Sequence, residues 1–139
     1  MADSAMPSTQ LVGDFIDAAV RDQQRAAEML AAHPELLNAR WIHNETVLHF
    51  LAVEGFADGV RFLAERGADV NAVNEFGDAP LIDVVVLGYT DIAAMLLSHG
   101  ANPNARSDTH DSALDCATQS GNEQMVAMLR AAGAVEDSD

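Results

Sequence analysis

The chain repeats itself every 33 residues, and that period rules out most folds before any single residue is weighed. Gly67-Ala68-Asp69-Val70-Asn71-Ala72 is followed 33 residues later by Gly100-Ala101-Asn102-Pro103-Asn104-Ala105, and Gly133-Ala134-Val135 follows at the same interval. Leu37-Asn38-Ala39 stands 33 residues before Val70-Asn71-Ala72. Further columns keep the register: Leu30, Leu63, Leu96 and Leu129; Gly55, Gly88 and Gly121; Phe15, Leu48, Leu81 and Leu114. A fixed period of this length marks supersecondary units that cannot bury their apolar faces alone and do so by stacking.

Two motifs give the units a family likeness. Thr46-Val47-Leu48-His49-Phe50-Leu51-Ala52 and Ala79-Pro80-Leu81-Ile82 resemble the T-P-L-H motif of ankyrin repeats, and Gly67 to Ala72 resembles their G-A-D-V-N-A turn. The resemblance spans Leu11 to Val135. It implies an all-α fold, an ankyrin-type solenoid of stacked helix-turn-helix units joined by short β-hairpin loops. An N-terminal cap is expected over 11–40, with repeats at 41–73, 74–106 and 107–135. Residues 1–10 are polar and contain Pro7, and are expected to be disordered. Residues 136–139 form an acidic tail.

Helix signals agree with these boundaries. In the cap, Phe15, Ala18 and Ala19 share one helical face, and Ala26, Ala27, Met29 and Leu30 share a second. His33-Pro34 stops that second helix, because a residue preceding proline disfavours helical geometry. Thr46 and Ser112 are natural N-caps for the first helices of their units. Pro80 suits a first helical position. Ala79 replaces the capping Thr, and Asp78 is the nearest substitute. The run Val84-Val85-Val86-Leu87 has strand propensity, but it sits in the register of Leu51 to Glu54 and is assigned to helix.

Composition narrows the function. Apolar residues make up 49% of the chain and aromatics 5%, which suits closely packed helices better than a β-sandwich. Net charge is −15, and all seven cations are Arg. Such a surface is a poor match for nucleic acid or an anionic membrane, whereas a basic protein surface would complement it. No apolar run reaches the roughly 18 residues of a membrane span. There is no basic, apolar leader at the start, and Cys116 has no second cysteine to pair with. These features lead to the expectation of a cytoplasmic, monomeric protein.

Catalytic and metal readings find little support. His33, His43, His99 and His110 fall at turns of different units, without the three- or four-residue spacing of a helical metal site. Cys116 lies in the register of Phe50 and Asp83, where a buried thiol is expected. No base stands beside it in the sequence. Glycines occur singly at turns, with no phosphate-cradling cluster. The resemblance implies a structural role for His49, its imidazole bridging helix and hairpin backbone. Ile82 and Asp115 replace it in the next two units. The expectation is therefore no catalytic residue, no metal and no cofactor.

What remains is the face the stack presents. The resemblance implies a concave groove lined by hairpin tips and first helices. Carried over by register, the partner-binding residues are Trp41, Ile42, His43, Glu45, Val53 and Glu54 in the first repeat. The second supplies Glu75, Phe76, Asp78, Val86 and Leu87, and the third Asp108, Thr109, Asp111, Gln119 and Ser120. The expected function is a non-enzymatic protein-binding module or adaptor that takes a basic segment. The alternative is an enzyme or small-ligand-binding protein, which needs a deep pocket near His43, Glu54 and Asp83.

Overall fold

The computed structural model describes residues 7–108 and 111–135. Eight α-helices run in pairs along the described chain: α1 (Thr9–Arg21), α2 (Gln23–Ala32), α3 (Val47–Val53), α4 (Ala57–Glu65), α5 (Pro80–Leu87), α6 (Thr90–Ser98), α7 (Ala113–Gln119) and α8 (Glu123–Ala131). The first helices α1, α3, α5 and α7 stack in sequence order, and α4, α6 and α8 form a second row behind them. No helix among the described residues is long and apolar enough to cross a membrane.

The repeat columns become the core. Phe15, Leu48, Leu81 and Leu114 are buried in the first row, and Leu63, Leu96 and Leu129 in the second. Full burial of one such side chain contributes about 1.5 to 3 kcal/mol. Leu30, the cap member of the second column, is only partly buried, because α2 meets α1 and the 3-10 turn over Pro34–Asn38 more than it meets α4. Of the apolar face expected on α2, Ala26 alone is fully buried. Gly55, Gly88 and Gly121 all adopt positive φ, from 73° to 83°. That left-handed conformation ends each first helix and excludes most side chains.

Local caps set the helix starts. Thr46 Oγ1 accepts from the His49 N–H, and Ser112 Oγ from the Asp115 N–H, both at 3.1 Å. Pro80 opens α5 as expected, but its N-cap Ala79 has no side-chain cap bond. The valine-rich run is helical, since Val84 and Val85 are buried between the rows.

Two expectations are corrected. The N-terminal segment was expected to be disordered through Gln10, but α1 already begins at Thr9. Ser8 Oγ accepts from the Leu11 N–H at 3.1 Å and caps that helix. Residues 1–6 and the acidic tail 136–139 lie outside the described residues. The β-hairpins are also reduced to tight turns. Among the described residues there is one isolated antiparallel bridge, Arg40 with Thr46, and no strand. The loop over Trp41–Glu45 is a 3-10 turn closed by Trp41 N–H donating to Glu45 C=O at 2.6 Å.

An asparagine ladder joins the units along another edge. Asn38 Oδ1 accepts from the Asp69 N–H, Asn71 Oδ1 from the Asn102 N–H, and Asn104 Oδ1 from the Val135 N–H, all at 2.8–2.9 Å. The amides of Asn71 and Asn104 donate onward to the carbonyls of Gly100 and Gly133. Each unit thus fastens backbone groups in the closing turn of the next to its own asparagine, in place of solvent.

Candidate interaction face

The turn tips of the first and second repeats are held together by side chains. His43 Nδ1 lies 2.8 Å from Glu75 Oε2, and the His43 ring stacks obliquely on Phe76 with centroids 5.5 Å apart. The Glu75 N–H donates to the His43 carbonyl at 2.9 Å. His43 and Asn44 both adopt φ of 56°, and Gly77, in the register of Asn44, has φ of 79°. A Cβ on Gly77 would stand 2.9 Å from Asp108 Oδ2, so the tip of the third repeat abuts that of the second.

The described sequence-derived residues divide into four groups by exposure. Ile42, Phe76, Val86 and Leu87 are 52%, 46%, 49% and 47% exposed. These are large apolar side chains left facing water. His43, Glu54, Glu75, Asp108, Asp111, Gln119 and Ser120 are also exposed, with Gln119 Nε2 donating to Asp111 Oδ2 at 2.9 Å. Trp41 and Val53 are half-buried. Trp41 meets Phe50 edge-on at 6.5 Å and lies against Gly13 of the cap. Thr109 lies outside the described residues.

Glu45 and Asp78 are the corrections. Both were expected to present their carboxylates to a partner, but they are 7% and 5% exposed. They occupy the same register and close the loops of their units. Asp78 C=O accepts from the Asn74 N–H at 3.0 Å, and Asn74 Oδ1 accepts from the Phe76 and Asp78 N–H groups. Glu45 Oε2 accepts from Asn74 Nδ2 at 3.3 Å.

His49 is fully buried, and its bond differs from the one expected. Nε2 lies 2.7 Å from Asp83 Oδ2, a side-chain carboxylate of the next repeat rather than hairpin backbone, and 3.8 Å from Glu45 Oε2. Nδ1 has no hydrogen-bond partner. Sequence reasoning missed this cluster because it compared histidines only with one another. The available signal was Glu45 standing just ahead of the N-cap Thr46, four residues before His49 in the first turn of α3.

Cys116 is half-buried rather than a core thiol. Burial raises its pKa, and the carboxylates of Asp111, Asp115 and Asp78 raise it further by disfavouring the thiolate. The nucleophile is the thiolate. Alkylation is therefore expected to be slower in the folded chain than in denaturant at neutral pH, with its rise in rate displaced to higher pH. Equal rates and superimposable pH profiles would show that the acidic surroundings do not govern this thiol.

Two clefts among the described residues lie close to the helix rows. One of about 600 Å³ is lined by Glu54, Gly55, Tyr89 and Asp91 among others. Another of about 530 Å³ lies between the cap and α4, lined by Arg21, Asp58, Arg61 and Arg66 among others. Neither is lined by His43 or Asp83.

Comparison with known proteins adds two findings. Residues 15–107 and 48–138 match the family model described as ankyrin repeats (3 copies). A stretch of 62 residues, 45% of this chain, is 37% identical to the serine/threonine-protein kinase VIK of Arabidopsis thaliana. The chain spans 14% of that protein's length.

Proposed function

Because this chain belongs to the ankyrin repeat family, whose repeats are in general protein–protein interaction modules, we propose that it is a non-enzymatic, monomeric adaptor. Its groove of turn tips and first helices takes a basic protein segment, rather than nucleic acid or an anionic membrane. The supporting observation is the composition of that face. Ile42, Phe76, Val86 and Leu87 are exposed apolar groups, and Glu54, Glu75, Asp108 and Asp111 of the same turns and first-helix ends are exposed acids. No Arg occurs between residues 67 and 105 or between 107 and 129. Arg40 turns into the loops, its Nη1 donating to the carbonyls of Asn44 and Val73. Arg61 and Arg66 belong to α4 and its C-cap in the second row. Exposed apolar groups within a polar rim suit a docking site.

The roles divide as they do at other interfaces. Buried anchors carry most of the affinity, while rim charges set the association rate and its salt dependence. The test begins with capture of the partner from native lysate and its identification by mass spectrometry, followed by kinetics on purified components. Glu75→Lys with Asp108→Lys is expected to slow association and flatten its salt dependence. Phe76→Ala is expected to speed dissociation by about fivefold or more, as loss of an anchor worth over about 1 kcal/mol requires. If both variants bind like wild type while Arg61→Glu with Arg66→Glu abolishes binding, the partner docks on the opposite row.

A further inference from the structure

The interior of the stack holds one cluster that the repeat pattern does not call for. One unit on from Glu45, His49 and Asp83 stand Asp78, Ile82 and Cys116, so the imidazole and the second carboxylate are peculiar to the junction of the first two repeats. We propose that Glu45, His49 and Asp83 bind a divalent first-row transition ion, with Zn²⁺ as its representative, between α3 and α5.

Three observations carry this. The first is geometry. One ligand atom from each residue lies within 4.8 Å of the others, and Nε2 of His49 is 2.7 Å from Asp83 Oδ2 and 3.8 Å from Glu45 Oε2. Ligands about 2.1 Å from a tetrahedral zinc stand about 3.4 Å apart. The two separations from His49 bracket that value, and the carboxylates of Glu45 and Asp83 stand within 4.8 Å of each other, so side-chain rotation without a backbone shift is expected to close the site.

The second is charge. The His49 side chain is 0% exposed, that of Glu45 9% and that of Asp83 18%. Among the described residues, the donors facing the two carboxylates are the His49 ring and the Asn74 amide. Arg40 donates instead to the carbonyls of Asn44 and Val73, and Arg61 pairs with Asp58. One buried and one partly buried carboxylate with at most one imidazolium are left net negative, which a low-dielectric interior penalises. A divalent ion balances both charges with the imidazole neutral.

The third is the donor set. Two carboxylate oxygens and one imidazole nitrogen suit borderline ions such as zinc. Magnesium and calcium prefer more oxygens than this site supplies. Asn74 already orients Glu45, as second-layer groups do in metal sites. The partial exposure of Asp83 leaves a side for approach and for a fourth, solvent ligand. Ligation at Nε2 places the imidazole proton on Nδ1, which meets no acceptor, so the affinity is expected to fall below that of a four-ligand structural site.

The test is titration of the chelator-stripped full chain with Zn²⁺ in excess Mg²⁺, read by calorimetry, with Co²⁺ absorption and thermal unfolding in parallel. The expected result is one ion per chain, a Co²⁺ spectrum with a nitrogen ligand, and a raised melting temperature with Zn²⁺. Asp83→Asn keeps the side-chain shape and is expected to weaken binding about tenfold or more. His99→Gln replaces an exposed histidine at the end of α6, outside the cluster, and is expected to leave Zn²⁺ binding unchanged. Should Asp83→Asn fail to fold, Glu45→Gln serves the same purpose. Absence of binding at millimolar Zn²⁺, binding insensitive to Asp83→Asn or lost with His99→Gln, or equal affinity for Mg²⁺ would each overturn the proposal.

Discussion

Leu96→Ala is expected to destabilise the chain by about 2 to 5 kcal/mol, the usual range for truncating a buried leucine. Leu96 has no solvent exposure and lies on α6, which packs between α4 and α8. Its carbonyl also accepts from the Ala101 N–H at 2.9 Å, closing the turn that leads to the next unit. The cavity would open between three helices that neighbouring repeats hold apart, so little collapse is available to offset it. In a stack, stability is shared through nearest-neighbour interfaces, and a defect in a central unit touches two of them. The denaturant midpoint followed by circular dichroism is therefore expected to fall in a single shifted transition. Leu30→Ala, in the same sequence column, is expected to cost less because Leu30 keeps partial exposure. An unchanged midpoint for Leu96→Ala would falsify the assigned register.

The contrast between Leu30 and Leu96 shows how far the sequence could be read. Columns of Leu, Phe and Gly at a fixed interval are legible because each repeat packs on its neighbours in the same way and imposes the same demand at the same position. Thr46, Pro80 and Ser112 were legible for a different reason: capping is settled within one helical turn. The valine run of α5 was legible only through register, since its own propensity points to strand. Polar side chains at the junctions were not legible in this way. Glu45 and Asp78 look like surface acids, and their burial depends on Asn74, which lies 29 residues from one and four from the other. Asn38, Asn71 and Asn104 do repeat, yet a spacing cannot state that each serves the backbone of the following unit. Cys116 sits where Phe50 and Asp83 sit, at a position half-open to water in all three units, and an apolar-leaning residue type concealed that. The tips are shaped by left-handed residues at His43 and Asn44, which no propensity scale would place in succession.

His49→Ile is expected to cost about 3 to 5 kcal/mol when measured in the presence of a chelator, so that the result is independent of any bound ion. The isoleucine itself is acceptable there, since Ile82 occupies the same position one unit on and is fully buried. What the substitution removes is the hydrogen bond at 2.7 Å to Asp83, leaving a partly buried carboxylate beside a second one on Glu45. Breaking a buried pair from one side costs this much because the surviving charge keeps its desolvation penalty and loses its compensation. Asp83→Cys, which copies Cys116, leaves the imidazole facing Glu45 at 3.8 Å. It is expected to cost about 1 to 3 kcal/mol, the penalty for an unsatisfied buried polar group. The double variant His49→Ile with Asp83→Cys reproduces the residues of the next junction and strands neither partner of the pair, so its loss should fall short of the sum of the two singles. Coupling of about 0.5 to 3 kcal/mol is the expected size for residues in direct contact. Urea unfolding of the four proteins completes the cycle. Strict additivity would mean that the imidazole and carboxylate do not sense each other, and that His49 is held in place by packing alone. A positive coupling would show that the junction between the first two repeats is fastened by a polar pair where the next one is fastened by apolar contact. That would be a local departure from the repeat, where sequence periodicity and side-chain chemistry part company.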